Sequence, residues 1–387
     1  MTSTSVVASL PYVETLRLVD HHCHGVLRRG VDRTAFEEML TEARYTGDLG
    51  GSLFDSQIGF AIRRWCAPVL DLAPGVDPHS YLDRREELGP DEVTRRFLSA
   101  AGLGALCIDT GYLPEPLLSP VELGTAAGAV AYNVVRLETA AERVVRSGTS
   151  AAEFADAVRM QLAEETKTAV AVKSIAAYRV GLALGGSRPT DAEVAGAAGR
   201  WLAAIDAGSP VRLADELLHR FLIWCGIDAQ MPIQAHVGYG DADITLHRSD
   251  PSLLTDLLRA LRPTGVPVIL LHNYPFHRQA GYLAQVFPNV FIDVSLATHN
   301  VGWRAGALIA ETLELAPFGK VLYASDAFGL PELYYLGSVL FRRGLARVLH
   351  EGLDEESWNH ADADRIAHLI GVENACRVYG IERPIAR

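Results

Sequence analysis

Three histidines, an aspartate and a cysteine crowd into "DHHCH", residues 20–24, at the end of the first apolar run of the chain. On a strand, residues two apart share a side, so His22 and His24 face together while His21 and Cys23 face away. Two imidazoles at that spacing can chelate one metal ion, and Asp20 shares their parity and could support them. Four later apolar runs also end in a residue suited to a divalent metal: Lys173 in "AVKSIAAY", His236 in "IQAHVG", His272 in "ILLHNY" and Asp326 in "YASDAF". A His or Asp buried at such a place is costly unless it is paired or coordinated. Neutral imidazoles with a carboxylate suit Zn²⁺, Mn²⁺ or Fe²⁺, and without clustered thiolates a structural four-cysteine zinc site is not expected. A catalytic site of this kind leaves a position for water, lowers that water's pKa toward neutrality and polarises a carbonyl oxygen. Asp326 is then placed to take the water's proton and return it to a leaving group. If Lys173 is carbamylated by CO₂ it becomes an anionic bridge able to hold a second metal. If it is not, one ion is expected, and the ammonium needs an anion such as Glu138 beside it.

Residues scattered from 22 to 326 can meet only if repeated elements bring their ends to one rim. Eight short runs rich in Val, Ile and Leu lie near 16–22, 104–111, 131–139, 169–178, 231–238, 266–273, 289–295 and 320–327, separated by stretches with helical spacing. Burial on both faces of a parallel sheet produces such runs. Eight of them alternating with helices predict an α/β fold, a (β/α)₈ TIM barrel, whose catalytic rim is the C-terminal end of the strands. The gap between the first and second runs is longer than one crossover helix needs. Ile58, Ile62, Cys66, Val69 and Leu70 in one part of it, and Val93, Phe97 and Leu98 in another, repeat at helical spacing. Residues 28–100 therefore read as a helical insertion after strand 1, leaving from the catalytic face where it could act as a lid. In 180–230, "GLALGGSRPTDAEVAGAAG" reads as a loop entering a helix and "RLADELLHRFLIWCG" as an amphipathic helix. With no repeat or interdomain linker, residues 1–387 are expected to form a single domain.

Composition narrows the function. About half of the 387 residues are hydrophobic, and 35 basic against 47 acidic residues give a formal charge of -12, with no Lys/Arg block to track a phosphate backbone. No apolar run approaches the roughly 18 residues that span a bilayer, and the N-terminus lacks a basic n-region and a sustained h-region. The five cysteines, Cys23, Cys66, Cys107, Cys225 and Cys376, are scattered without a C-x-x-C pair, as expected of reduced thiols. The expectation is a cytoplasmic homo-oligomer with a small-molecule substrate and neither nucleic acid nor membrane as partner.

The order H-x-H on strand 1, Lys on strand 4, His on strands 5 and 6 and Asp on strand 8 is similar to the amidohydrolase superfamily. More narrowly, "LVDHHCH", "KSIAAYRVGL", "IQAHVGYGD", "LLHNYPFHRQAGYLAQVFPNVFIDVS" and "YASDAFGLPELYYLG" resemble the amidohydrolase-related branch fused to glutamine synthetase-like domains in fungal developmental and plant nodulin-like proteins. These motifs run from about residue 16 to 345, and no glutamine synthetase half follows them, so that partner's activity is not expected to carry over. The resemblance implies that His22, His24, His236, His272 and Asp326 are metal-site residues, that Lys173 is the candidate bridging ligand, and that Asp326 and His272 are catalytic. It implies a cofactor of one or two divalent ions, most readily Zn²⁺.

Around these, Arg179 after "AY" could clamp a substrate carboxylate, and Tyr178 precedes it. Glu138 in "RLET" ends the third run, where it could hold Arg179, Lys173 or a substrate amine. Tyr239, Asp241, Asn273, Tyr274 and His299 lie just past strand ends, where they could touch substrate. His21, His219, His247, His277, His350, His360 and His368 lack this placement and read as structural or surface residues. The expected reaction is hydrolysis of a C–N bond, amide or cyclic amidine, in a small polar molecule by metal-activated hydroxide. The same metal set could instead promote loss of CO₂, or merely bind metal without turnover.

Overall fold

The computed structural model describes residues 10–43, 51–112 and 115–384. Seven of the eight apolar runs are strands: β1 (Leu18–Cys23), β2 (Leu103–Asp109), β3 (Val130–Arg136), β4 (Ala169–Ser174), β5 (Ile233–Val237), β6 (Val268–His272) and β7 (Val290–Ile292). They form one parallel sheet in sequence order, β1 to β7. β1, β2, β5, β6 and β7 are buried at every position, which is why they read as unbroken apolar runs. Each Val, Ile or Leu so buried contributes roughly 1.5–3 kcal/mol.

The eighth run differs from expectation. Residues 321–327 make one isolated bridge, Ile292 with Val321, and form no strand. Their hydrogen bonds are nevertheless divided between both edges of the sheet. Leu322 N donates to Ile292 of β7 at 2.9 Å, while Asp326 N donates to His22 of β1 at 3.0 Å and Tyr323 O accepts from His21 N at 3.2 Å. The ladder breaks because Ser325 is bound elsewhere: its N and Oγ donate to the Asp20 carboxylate at 2.9 and 2.6 Å. Asp326 adopts φ 53°, a left-handed conformation that no regular strand contains.

Between β1 and β2 the described residues are mainly helical, including Gln57–Ala61 and the long helix Pro78–Ala100, which breaks at Gly89 with φ 76°. Asp77 caps that long helix. Its inner face is pinned to the helix Pro331–Asp354 by a buried ion pair, Arg85 Nε to Glu332 Oε1 at 2.7 Å, with the Tyr81 hydroxyl donating to the same oxygen at 3.2 Å. Ile58, Ile62, Cys66 and Leu70, and further on Val93, Phe97 and Leu98, are buried as their spacing requires. The helix Asp191–Asp206 starts at a Thr190–Glu193 capping box. The helix Glu216–Asp228 buries every residue from Leu218 to Ile227 except Arg220, so it is enclosed rather than amphipathic. All five cysteines are free and buried. Among the described residues no helix is long and apolar enough to cross a membrane.

Candidate active site

β1 delivers His22 and, one residue past its end, His24, whose rings meet edge to face with centroids 5.2 Å apart. The neighbours of each ring fix where its proton lies. Gln234 of β5 spends both amide protons, on the His21 carbonyl at 2.8 Å and the Tyr379 hydroxyl at 2.9 Å. Its Oε1 can only accept, and the donor is His22 Nδ1 at 2.9 Å. His24 Nδ1 faces the Asp109 carbonyl at 3.3 Å, again an acceptor only. Both rings therefore keep their Nδ1 proton on that side and turn Nε2 toward Asp326 Oδ1, at 3.2 and 3.4 Å. That oxygen is buried and receives no hydrogen bond. Two imidazole nitrogens and a carboxylate oxygen this close in a buried space need a proton or a cation among them. His22, His24 and Asp326 offer ligand atoms within 4.8 Å of one another, and two imidazole nitrogens with one carboxylate oxygen fit a divalent metal.

The other predicted ligands surround this trio. Lys173 Nζ lies 2.8 Å from His22 Nε2 and 3.6 Å from Asp109 Oδ2. Its anion is thus Asp109 and not Glu138. His272 Nδ1 contacts Ser295 Oγ at 2.7 Å, whose own proton goes to Asp293 Oδ1 at 2.6 Å. His272 must then donate from Nδ1, which leaves Nε2 as a buried lone pair without a partner. His236 packs between Tyr178 and His272, with centroids at 4.4 and 4.5 Å, and its Nε2 faces the Tyr239 carbonyl at 3.1 Å. Burial lowers the His22 ring to about 3 and His272 to about 4, and drives His236 well below its ordinary value. Burial acts to raise the Asp326 carboxyl, but a proton on the facing His272, His22 and His24 rings, or a cation in its place, holds it well below the usual carboxylate range. Neutral rings with an ionised carboxylate are the protonation states that metal ligation requires.

Above the trio opens a cavity of about 460 Å³, with His24, Lys173, His236 and Asp326 in its lining. Met39, Glu42 and Ile58, from the span between β1 and β2, form part of its wall. Of the predicted substrate contacts, Tyr178, Arg179, Asp241 and His299 also line it. The others do not. Glu138 begins the helix Leu137–Arg146, and its Oε1 is taken by Ser174 Oγ, Ile175 N and His219 Nδ1 at 2.7, 2.9 and 3.1 Å. It serves to tie the end of β4 to that helix and to the helix Glu216–Asp228, and His219 is structural with it. Asn273 turns inward, donating to the carbonyls of Leu270 and Asp293 at 2.5 and 3.0 Å. Tyr274 stacks on His277, centroids 6.1 Å apart, and Tyr239 packs against Tyr274. Asp20 supports no ligand ring directly; fully buried on Ser325, its carboxyl is raised to about 7, chiefly by burial.

Several site residues escaped the sequence reading. Asp109 and Arg136 end the second and third runs, the same signal that singled out Lys173, and Asp109 Oδ2 accepts from Arg136 Nε and Nη2 at 3.0 and 2.6 Å. Gln234 is a polar residue inside the buried run "IQAH", itself a sign that a partner is needed. Tyr379 gives no such sign, because its role is set by a helix far along the chain.

With this geometry in place, comparison with known proteins is informative. Residues 119–381 match the family model described as Amidohydrolase. The chain is 31% identical over 228 residues to Protein fluG of Emericella nidulans, a match covering 56% of this chain and 26% of that one, so the chain spans about a quarter of the curated relative it matches. Among solved structures it is similar to a candidate metal-dependent hydrolase from Lactobacillus casei ATCC 334, with TM-score 0.82 and 30% identity over 96% of both chains. A uronate isomerase from Thermotoga maritima shares the fold, with TM-score 0.61 and 12% identity over 98% of this chain and 99% of that one.

Proposed function

The chain belongs to the amidohydrolase family, and from that premise we propose that it is a metal-dependent hydrolase cleaving a C–N bond, amide or cyclic amidine, of a small polar substrate. The observation that carries this reading is the buried convergence of His22 Nε2, His24 Nε2 and Asp326 Oδ1 within 4.8 Å of one another. These three would hold one divalent ion, Zn²⁺ by the chemistry of the donor set. When bound, such an ion lowers the pKa of water and polarises a carbonyl or amidine carbon toward attack.

The remaining work falls to the protein. Asp326, ionised and at the cavity floor, accepts a proton from the attacking water and passes it to the leaving nitrogen. His272 stands beside it, Nδ1 3.4 Å from Asp326 Oδ2, and Tyr178, Arg179 and His299 bind substrate from the walls. Lys173 stays an ammonium balanced by Asp109, which favours one ion over a carbamylated bridge and two. The segment 321–327 acts as the eighth position of a barrel, on the strength of its bonds to both sheet edges. The described residues between β1 and β2, among them Met39, Glu42 and Ile58 in the cavity wall, act as a lid within a single domain.

The test is metal analysis with product analysis. The protein is expected to carry about one divalent ion per chain and to lose activity on chelation, giving an opened ring or two fragments as product. Released CO₂, or an isomer of unchanged composition, would assign a different reaction. Asp326→Asn keeps the size of the side chain and removes the proton acceptor. A kcat loss of about 10² or more is expected, and a nearly unchanged rate would place the base elsewhere.

A further inference from the structure

Four arginines line the cavity: Arg29, Arg136, Arg179 and Arg212. Three of them are neutralised within the protein. Arg29 pairs with Glu115 at 2.6 Å, Arg136 with Asp109 at 2.6 Å, and Arg212 with Asp243 at 3.3 Å while also donating to the Tyr178 carbonyl. Arg179 is the exception. Its Nε and Nη1 are buried and meet no acceptor, and its nearest carboxylate oxygen, Glu142 Oε1, stands 3.7 Å from Nη2. That oxygen is already committed, accepting from Leu213 N at 3.0 Å.

A guanidinium cannot shed its charge to escape this situation. Burial lowers the Arg179 pKa, Arg212 and Arg136 lower it further, and Glu142 and Glu138 offset this only in part, while two of its N–H groups stay buried without an acceptor. Buried polar groups left without partners in a cavity mark the place where a ligand supplies them. The ligand must offer acceptors to these N–H groups, and it must be an anion to compensate a buried positive charge. Its charge follows from the count: the cavity-lining Arg136 and Lys173 are offset together by the carboxylates of Asp109 and Asp326, which leaves the one guanidinium of Arg179 to match one negative charge, whereas a phosphate dianion would call for a second free cation. Glu38, Glu42 and Asp241 also line the cavity, so an anion is drawn to Arg179 itself and not to the cavity as a whole.

We propose that the substrate carries a single carboxylate, bound by Arg179, apart from the bond that is cleaved. This rests on reading the cavity as the substrate site. It makes Arg179 the residue that selects among C–N substrates: an acid bearing an amide or amidine is accepted, and the uncharged analogue is not. The remaining gap to Glu142 adds selectivity, since that carboxylate repels an anion placed anywhere but against the guanidinium.

Ligand-observed NMR titration of the full chain tests this, with succinamate as a monocarboxylate probe, succinamide as its uncharged counterpart and inorganic phosphate as a third probe. Each is titrated once after chelator treatment and once after reloading with Zn²⁺. Succinamate is expected to bind about 10-fold or more tightly than succinamide in both preparations, the gain of a charge-assisted hydrogen bond. Arg179→Met should abolish that preference, and Arg179→Gln serves if the first variant does not fold. Equal binding of the two probes by the unmodified protein, or a preference that survives both substitutions, overturns the proposal. Tighter binding of phosphate than of succinamate overturns the single charge. Because the chelated protein retains Arg179, a preference seen there stands even if Zn²⁺ fails to bind, an outcome that would count against the hydrolase reading alone.

Discussion

Lys173 Nζ has two acceptors in reach, His22 Nε2 at 2.8 Å and Asp109 Oδ2 at 3.6 Å, and a metal would compete with it for the first. Lys173→Ala is therefore expected to leave about one ion per chain, with no rescue of activity by added acetate, since no ligand position has been vacated. A halved metal count restored by acetate would establish the carbamylated bridge instead. Acidification acts on the same group of residues. In the metal-free protein burial holds His22 near 3 and His272 and His299 near 4, against about 6.5 in the unfolded chain. The unfolded state thus binds more protons in that interval. The stability of the neutral rings is complete above about 6.5 and is lost as pH falls toward 4. Asp20 opposes this, because its raised carboxyl, near 7, favours the fold at low pH and loses that contribution as pH rises toward 7. Three rings outweigh one carboxyl, so denaturant melts of chelated protein should show a falling midpoint from pH 7 to 4.5. A flat or rising midpoint would contradict these burials.

At the scale of elements, β5 does more than fill the sheet. Its Gln234 accepts the His22 proton at Nδ1, while Lys173 Nζ lies against Nε2 on the other side of the ring. Gln234→Leu should weaken metal binding about 10-fold to 100-fold, as removal of such supporting partners does, measured by competition with a chromophoric chelator. Unchanged affinity would show that Asp326 and Lys173 orient the ring unaided. Five of the seven strands were legible because a strand buried on both faces is mainly apolar until it reaches the rim, while β3 and β4 are partly exposed. The same rule marked His22, His24, Lys173, His236, His272 and Asp326. It failed where a polar residue past a strand serves its neighbours and not the cavity. Glu138 ties β4 to two helices, Asn273 holds carbonyls of β6 and of the residue after β7, and both look in sequence like rim residues facing substrate. The eighth run misled for a related reason: its hydrophobic spacing is that of a strand, but its backbone partners include the side chain of Asp20.

For the whole molecule, the helix Asn374–Tyr379 is the farthest contributor to the site. Asn374 Nδ2 donates to the carbonyls of Phe318 and Val321 at 2.7 and 2.8 Å, bracing the segment that carries Asp326. Tyr379 meets His21 Nδ1 and Gln234 Nε2, each at 2.9 Å. A chain ended after Glu373 is expected to lose cooperative unfolding and most of its metal affinity, although every proposed ligand remains. Retention of full affinity by that shortened chain would confine the helix to packing.

The reach of Tyr379 back to β1 also bears on how the protein is made. At about 5–20 residues per second, His22 leaves the site of synthesis roughly 20–70 s before Tyr379 is added. Throughout that interval His22 and His24 are present without the glutamine and tyrosine that orient them and the aspartate of the proposed metal set, and paired imidazoles alone prefer copper or nickel over zinc. Choice of metal thus belongs to the finished fold, and the ions that the newborn chain encounters early have no completed site in which to lodge.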